Sequence, residues 1–477
     1  MHDLATSSAR SARLAPAPGV QRLLDSSNGF RCGFLKALSR TFLVAGVLLS
    51  AAATVRGEDP SWPQFRGAGG QGSVEVDRLP LHWSESENVT WKTLLPGRGW
   101  SSPVIGDGMI WVTTAIEIEA PPDVIKKREA ERTDRQPIVV CERVDFLAIG
   151  IDLESGKIRH KVPLFSAEFP QVIHALNSYA SPTPVLSGNR LYCHFGAFGT
   201  CCVDAREGRI LWVNRDIEVK HENGPGSTPV LWHDKLIVHF DGIDKQFVVA
   251  FDANTGAVAW ETVRSGTLRS NPQYRKAYAT PLILAIRGKD TLISPGADWV
   301  YAYDPETGEE RWKTSYGRLG FSNVARPVAG HGLVFVSTSF GATSLLAIRP
   351  LATEGKIEWE YTRQVPRVSS PVLLGDELFF VSDRGIATCL DAPSGKTRWV
   401  KRLGGNYSAS PLAALGRIYF FSRKNDDGKC VTTVIESSRK FRRIAKNELD
   451  GSIFASPAAI EGALILRTDR ALYRIEE

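Results

Sequence analysis

Short apolar segments alternate with turns along most of the chain, at lengths typical of strands rather than helices. Two of them are GDGMIWV at 106–112 and GDELFFVS at 375–382, and each begins with Gly-Asp, which favours a tight turn. Helical periodicity between the segments is almost absent, which argues against a parallel α/β fold with crossover helices. The pattern therefore predicts an all-β protein built from antiparallel strands.

A motif containing proline marks eight of these segments. After a first gap of 81 residues, the prolines follow one another at intervals of 40 to 52 residues. A turn, an apolar strand, a third strand ending in an acidic residue and a fourth strand follow most motifs. The eight motifs are Ser102-Pro103-Val104, Thr183-Pro184-Val185, Thr228-Pro229-Val230, Thr280-Pro281-Leu282, Arg326-Pro327-Val328, Ser370-Pro371-Val372, Ser410-Pro411-Leu412 and Ser456-Pro457-Ala458.

The best copies of the third and fourth strands carry Asp, Gly and Trp at four-residue intervals, as in Asp252, Gly256 and Trp260. The glycine supplies the positive φ that a tight hairpin needs. Four strands in about 40–45 residues is the size of one propeller blade. The sequence thus predicts an eight-bladed β-propeller of four-stranded antiparallel blades over residues 83–477.

The last unit lacks a fourth strand, whereas a spare one containing Trp91 precedes the first motif. We expect this N-terminal strand to close the last blade, because closure pairs the open edges of the ring. Residues 58–82 form a lead-in outside the blades. The charged segment 116–145 is an insertion in blade 1, either a solvated excursion or a flap over one face.

The first 53 residues hold six basic and two acidic side chains and end in an apolar run from residue 41 to residue 53. That run has the length of a signal-peptide core and is too short to span a bilayer comfortably. Residues 1–57 are therefore interpreted as a signal peptide with its n-region, which predicts a periplasmic or secreted protein with no membrane span after signal removal. The remaining chain is nearly neutral, so binding to nucleic acid is not expected.

The Asp-Gly-Trp strands together with the Ser/Thr-Pro-Val motifs resemble the pyrroloquinoline quinone (PQQ)-like β-propeller repeat over roughly residues 83–477. This family includes PQQ-dependent alcohol and sugar dehydrogenases. It also includes cofactor-free propellers, such as an outer-membrane assembly lipoprotein that docks on a β-barrel insertase. The resemblance therefore implies a fold and leaves the function open.

The dehydrogenase interpretation rests on two features. Adjacent Cys201 and Cys202 could form the vicinal disulfide that lies against PQQ in some of those enzymes, and Asp241 and Asp244 could donate oxygen ligands to calcium. The alternative for Cys202 is packing, since the equivalent position of other units holds a small residue. The alternative for the two aspartates is a polar turn. No metal site is identified from the sequence, and a Cys-x-x-Cys-His haem motif is absent.

Polar residues gather on the loops that lead into each innermost strand and on the loops joining second and third strands, which share one face of a propeller. We call this face, around one end of the central channel, the mouth face. It suits an anionic or sugar-like ligand or a protein loop, although such residues could simply solvate the loops. The predicted binding residues are His174, Asn177, Tyr179, Asp241, Asp244, Arg275, Lys276, Asp298, Arg326, Arg367, Asp383 and Asn406, with Tyr278, Asn323, Arg384, Tyr407 and Asp469 on the same loops.

Motifs for serine hydrolases, zinc proteases, phosphate loops and dinucleotide binding are absent from the sequence. The leading hypothesis is an exported, monomeric binding or scaffold protein without an identified cofactor, which takes an unknown protein partner or a small polar ligand at the mouth face. The first alternative is a PQQ-dependent alcohol or sugar dehydrogenase that uses Asp241 or Asp298 as a base. A hydrolase or lyase built on the same channel is the second alternative.

Overall fold

The structure is a computed structural model that describes residues 60–131, 136–318 and 320–477. The predicted signal peptide at 1–57 lies outside these residues. Within the described ranges, every helix is too short or too polar to cross a membrane.

The described chain contains thirty-six strands. The first nineteen strands are β1 (Val89–Leu94), β2 (Val104–Gly106), β3 (Met109–Glu119), β4 (Ile138–Val139), β5 (Cys141–Asp152), β6 (Ile158–Glu168), β7 (Ile173–His174), β8 (Val185–Ser187), β9 (Arg190–His194), β10 (Thr200–Asp204), β11 (Arg209–Asn214), β12 (Val230–Trp232), β13 (Lys235–Asp241), β14 (Gln246–Asp252), β15 (Val258–Val263), β16 (Leu282–Ile286), β17 (Lys289–Pro295), β18 (Trp299–Tyr303) and β19 (Glu310–Ser315).

The remaining strands are β20 (Gly320–Phe321), β21 (Val328–Gly330), β22 (Leu333–Ser337), β23 (Phe340–Gly341), β24 (Leu345–Pro350), β25 (Gly355–Tyr361), β26 (Val372–Leu374), β27 (Glu377–Val381), β28 (Ile386–Asp391), β29 (Thr397–Arg402), β30 (Leu412–Ala414), β31 (Arg417–Phe421), β32 (Lys429–Glu436), β33 (Arg443–Asp450), β34 (Ala458–Ile460), β35 (Ala463–Arg467) and β36 (Ala471–Glu476). The helices are α1 (Pro122–Ala130) and two 3-10 turns at Gly196–Phe198 and Pro272–Tyr274.

These strands form eight four-stranded antiparallel blades arranged as an eight-bladed β-propeller, which confirms the predicted fold. Blades 1 to 4 are β2-β3-β5-β6, β8 to β11, β12 to β15, and β16 to β19; blades 5 to 8 are β21-β22-β24-β25, β26 to β29, β30 to β33, and β34-β35-β36-β1. Blade 8 is closed by the N-terminal strand β1, as predicted, with Trp91 opposite Arg474 and Lys92 opposite Tyr473.

The Asp-Gly-Trp pattern has a packing explanation at the joints between blades. Trp212 on the outer strand of blade 2 donates its indole N–H to Ala253 O of blade 3 at 3.0 Å. Its ring covers Gly256, which has a φ of 76° and whose Cβ, if it had one, would lie 2.4 Å from that ring. Cys202 pairs directly with Trp212 in the sheet and is buried. The prediction that Cys202 is a packing residue is therefore confirmed.

A second set of contacts between blades explains the hydroxyl residue of the proline motif. In each joint of this set, the hydroxyl accepts a hydrogen bond from the backbone N–H of the equivalent residue in the preceding blade. Because the bonds repeat around the channel, we call them the hydroxyl ring. They are Ser102 to Thr183 (2.9 Å), Thr183 to Thr228 (3.0 Å), Thr228 to Thr280 (3.1 Å), Arg326 to Ser370 (2.9 Å), Ser370 to Ser410 (3.0 Å) and Ser410 to Ser456 (2.9 Å).

The lead-in lies across the central channel, where it pairs with the free edges of inner strands. Trp62 exchanges two backbone hydrogen bonds with Ile105 of blade 1, each 2.9 Å long, and Pro63 O accepts from the amide of blade 2 residue Leu186 at 2.8 Å. Farther along, the side chain of Gln71 accepts from the blade 5 amide of Ala329 at 2.9 Å. The segment then bonds to β30 of blade 7. One short stretch thus joins four blades.

The excursion in blade 1 is shorter than its sequence suggests, because β3 and β5 remain paired as far as Glu119 and Cys141. Between them lies α1, a charged helix with no buried residues. β4 then pairs with β7, bringing Ile138 opposite His174. The excursion is therefore attached to the loop that leads into blade 2, on the mouth face.

Candidate functional site: the mouth face

Two of the predicted acidic residues, Asp241 on blade 3 and Asp298 on blade 4, each face an arginine. Asp241 accepts two hydrogen bonds of 2.6 Å from Arg264, and both side chains are 1% exposed. Desolvation raises the pKa of Asp241, and the positive charge of Arg264 opposes that shift. Asp298 accepts from Arg269 Nε at 2.7 Å. These carboxylates therefore fix the loops that lead out of blade 3.

The basic residues predicted on the same loop are also held internally. Lys276 forms a buried ion pair with Glu222 and donates to Gln273 Oε1 at 2.8 Å. Arg275 donates to two backbone carbonyls of its own loop, at 2.7 and 2.8 Å. The loop into blade 4 is thereby tied to the loop into blade 3.

The loop that leads into blade 2 is held in place by hydrogen bonds of the Asn177 and Tyr179 side chains. Asn177 Nδ2 donates to Asn223 O at 2.7 Å and to Pro225 O at 3.0 Å. The buried Tyr179 donates its hydroxyl to Gln171 O at 2.9 Å. His174 stands at the edge of this loop, within the short β4–β7 sheet.

The remaining predicted residues are spread over blades 3 and 5 to 7. Asp383 accepts the Arg367 backbone N–H at 3.1 Å, and Asp244 accepts that of Lys220 at 2.8 Å. Asn406 is exposed. Arg326 is buried, and its guanidinium contacts the lead-in. The structure thus places the predicted residues around one ring of loops without gathering them into one cluster.

The sequence-based prediction missed an apolar component of the mouth face. Among the described residues, the four most exposed large apolar side chains are Leu94 (71%), Val263 (68%), Phe169 (56%) and Leu176 (53%). All four lie at the ends of outer strands or on the loops that lead into inner strands. The mouth face therefore carries the four most exposed large apolar side chains of the described residues.

A stacked aromatic pair lies beside Leu176. The rings of Trp100 and Phe454 are 4.4 Å apart and inclined by 14°. Arg98 stands over Trp100 at 5.3 Å, and Arg423 over Phe454 at 5.7 Å. We call these four residues and Leu176 the aromatic platform.

Backbone contacts hold the platform in place. The indole N–H of Trp100 donates to Leu176 O at 3.1 Å, and Arg98 donates to Asn177 O at 2.5 Å. Trp100 and Phe454 both stand two residues before the motif serine of their blades. Aligning the eight motifs would have revealed this signal.

The comparisons with known proteins agree with this architecture. The family profile described as "Outer membrane protein assembly factor BamB" matches residues 80–262, 244–373 and 367–437. The outer membrane protein assembly factor BamB of Shewanella oneidensis is 21% identical over 312 residues, which cover 57% of this chain and 73% of that protein. The crystal structure of BamB from Moraxella catarrhalis superposes with a TM-score of 0.50 at 15% identity, covering 70% of this chain and 94% of that one.

Quinoprotein dehydrogenases share the fold at a greater distance. Quinohemoprotein alcohol dehydrogenase ADH-IIG of Pseudomonas putida is 27% identical over 144 residues, which cover 28% of this chain and 19% of the enzyme. The quinohemoprotein alcohol dehydrogenase of Comamonas testosteroni superposes with a TM-score of 0.55 at 11% identity, covering 87% of this chain and 80% of that one. Because the family profile matches well over half of the sequence, the chain belongs to the PQQ-like β-propeller family.

Proposed function

We propose that this protein is a scaffold of the cell envelope that holds a partner protein against its mouth face, with the aromatic platform at the centre of the contact. The observation that carries this proposal is that the four most exposed large apolar side chains of the described residues lie on that face. Exposed apolar surface is a common mark of interaction sites on soluble proteins. Tryptophan and arginine are also the residues most enriched among those that dominate binding energy.

Two further observations support a binding role. The charged residues around the mouth are used in internal ion pairs and loop contacts, as with Asp241 and Arg264. A rigid surface of this kind loses little conformational entropy when a partner binds. Relatives named as outer membrane protein assembly factors belong to the same family, and the apolar run at 41–53 favours export to the same compartment.

The aspartates considered for a quinone-bound cation are already engaged by other groups of the protein. Such a cation requires several oxygen ligands around one point. Asp241 is engaged by Arg264 and Asp298 by Arg269, while Asp244 accepts backbone N–H groups. Among the residues that the structure describes, no group of three or more His, Cys, Asp or Glu side chains could hold a metal ion.

The proposal is tested by affinity capture from an envelope extract with wild type, Trp100→Ala and Trp232→Ala. Trp232 is a matched control, since it ends an inner strand on the opposite face. We expect Trp100→Ala to reduce recovery of the captured partner at least tenfold, because truncating a central aromatic typically costs about 2 kcal/mol or more. Trp232→Ala should leave recovery unchanged.

Equal recovery by all three proteins, or no specific partner of the wild type, would contradict the proposal. Circular dichroism should show that both variants are folded. The dehydrogenase alternative is tested in parallel by incubating the protein with PQQ and calcium. Quinone absorbance together with dye-linked alcohol oxidation would favour that alternative.

A further inference from the structure

Two arginine side chains lie next to each other where the lead-in crosses the channel. Arg66 belongs to the lead-in and is 2% exposed, and Arg326 begins blade 5 and is 3% exposed. Glycines of the lead-in make room for both: a Cβ at Gly70 would lie 2.3 Å from Arg326 Cζ, and one at Gly72 would lie 2.4 Å from Arg66 Nη2. The glycine-rich sequence of the lead-in thus accommodates a pair of buried guanidinium groups.

Their hydrogen bonds use only part of their donors. Arg66 Nη2 donates to Gln71 O and Pro371 O, both at 2.6 Å, and Arg326 Nη1 donates to Phe65 O at 2.7 Å. Arg66 Nε, Arg66 Nη1 and Arg326 Nε are buried without a hydrogen-bond partner in the described part of the chain. Among the described residues, every acceptor of these two side chains is a neutral backbone carbonyl.

Two positive charges that are buried without an opposite charge beside them are energetically costly. A guanidinium keeps its proton at neutral pH, so it does not escape the cost of burial by becoming neutral. Burial, reinforced by the neighbouring Arg326, lowers the pKa of Arg66 to about 9, and burial lowers that of Arg326 to about 10. Both groups therefore remain charged at neutral pH. Buried charges in proteins are normally paired with an opposite charge.

Blade 5 departs from the other blades at this point. Seven of the eight proline motifs begin with Ser or Thr, whereas blade 5 has Arg326. Blade 5 thus lacks a hydroxyl for the hydroxyl ring and carries a guanidinium instead. The buried Arg467 has more of its donors in use, since its Nη1 alone donates to three oxygens at 2.6 to 3.0 Å, although its Nε also lacks a partner in the described part of the chain.

We propose that the central channel binds one small oxyanion between Arg66 and Arg326, with the chemistry shared by phosphate, sulfate and small carboxylates. Its oxygens accept the unused guanidinium N–H groups in charge-assisted hydrogen bonds. The anion compensates both charges and ties the lead-in to blades 5 and 6. This site is separate from the aromatic platform and does not depend on the proposed scaffold function.

The test measures anions in the purified full chain. The protein is exchanged into a buffer free of oxyanions and denatured, and the released anions are identified by ion chromatography. We expect about one oxyanion per chain in the wild type, or one saturable phosphate site by calorimetry if the anion is lost during exchange. Chromatography also distinguishes an inorganic ion from an organic carboxylate.

Arg326→Thr is the informative variant, because it introduces the residue that blades 2 to 4 carry at this position and should remain folded. We expect it to lose the bound anion and to weaken phosphate binding at least tenfold. The matched control Arg363→Thr removes an exposed arginine and should behave as the wild type. Equal anion content in wild type and Arg326→Thr, or a wild type with neither a retained anion nor a saturable phosphate site, would overturn the proposal.

Discussion

His221 lies in the loop that leads into blade 3, where its Nε2 accepts the Ala197 N–H at 2.7 Å. Burial lowers the pKa of His221 to about 4, with Asp244 opposing the shift. Burial, and then His221, lowers the pKa of the neighbouring His194 to about 3. Both rings are therefore neutral in the folded protein at pH 7, and the fold depends on their staying so.

This burial predicts loss of stability in mild acid. Between pH 6.5 and 4 the unfolded chain binds a proton at His221 that the folded chain does not, so the free energy of unfolding falls as the pH falls. For this one ring the loss is about 3 kcal/mol at pH 4. We expect His221→Gln, which keeps an acceptor and does not titrate, to flatten the pH dependence measured by chemical denaturation at pH 7, 5 and 4.

The exposed His82 provides the control for that measurement. His82→Gln should retain the slope of the wild type, since it changes an exposed residue and leaves the buried rings in place. If His221→Gln and His82→Gln lose the same stability between pH 7 and 4, the buried ring is not the source of the acid sensitivity.

At the scale of the element, most blades are held to the next by a hydroxyl near the channel, and several also by an indole farther out. Thr183 illustrates the inner contact, since its hydroxyl accepts the buried Ser102 N–H at 2.9 Å. Trp212 illustrates the outer contact with Ala253 O. The two contacts restrain a blade at both ends of its width, which fixes the angle between neighbouring sheets.

The inner contact is tested by Thr183→Val, which keeps the shape of the side chain and removes its acceptor. We expect the free energy of unfolding to fall by about 1–3 kcal/mol, because a buried backbone N–H is left without a partner. Thr397→Val, on an exposed outer strand, is the matched control and should change stability by less than about 0.5 kcal/mol. Equal stability of the two variants in urea denaturation would show that the hydroxyl ring contributes little.

The repeated elements were predictable because their chemistry is local. Asp252, Gly256 and Trp260 form one hairpin, so their spacing alone predicts the turn and the strands around it. The partner of the Thr183 hydroxyl, by contrast, is 81 residues away in sequence. The motif could therefore be recognised as a mark of each blade, while its hydrogen bonds could not be derived before the ring was built.

The candidate site was harder to predict, because it depends on contacts that occur once in the molecule and not in every blade. Trp100 and Phe454 belong to opposite ends of the propeller sequence and meet only when blades 8 and 1 become neighbours. The lead-in has no equivalent in any blade, so no internal comparison could place Arg66 beside Arg326. Polar loop residues such as Asp241 were correctly placed on the mouth face, yet their arginine partners were not evident from the sequence.

At the scale of the whole molecule, the joint between blades 8 and 1 differs from the other joints. No turn joins strands β1 and β36, which pair although they come from opposite ends of the described chain. Trp91 on β1 extends this joint, since it donates to Leu153 O at 3.1 Å and its ring covers Gly156 of blade 1. Together with Thr93, whose hydroxyl donates to Gly156 O at 2.5 Å, this side chain links the closing strand to the first blade.

Trp260 offers a matched comparison, because it is half-buried like Trp91, donates to Pro305 O at 3.2 Å and covers Gly308. We expect Trp91→Ala and Trp260→Ala to lower the free energy of unfolding by similar amounts, about 2–4 kcal/mol. The two variants should differ in hydrogen exchange. Trp260 lies between blades 3 and 4, which follow one another along the chain, whereas no turn connects β1 to the rest of blade 8, so β1 can detach locally.

Trp91→Ala should therefore raise exchange at least tenfold in the amides of β1 and β36, while Trp260→Ala leaves those amides protected. If both variants exchange alike in β36, the strand pairing itself closes the ring and the indole contact only adds stability. A selective loss of protection after Trp91→Ala would instead mean that closure depends on the contact between blades. The same joint carries Trp100 and Phe454 on the mouth face, so opening it would also separate the two rings of the aromatic platform.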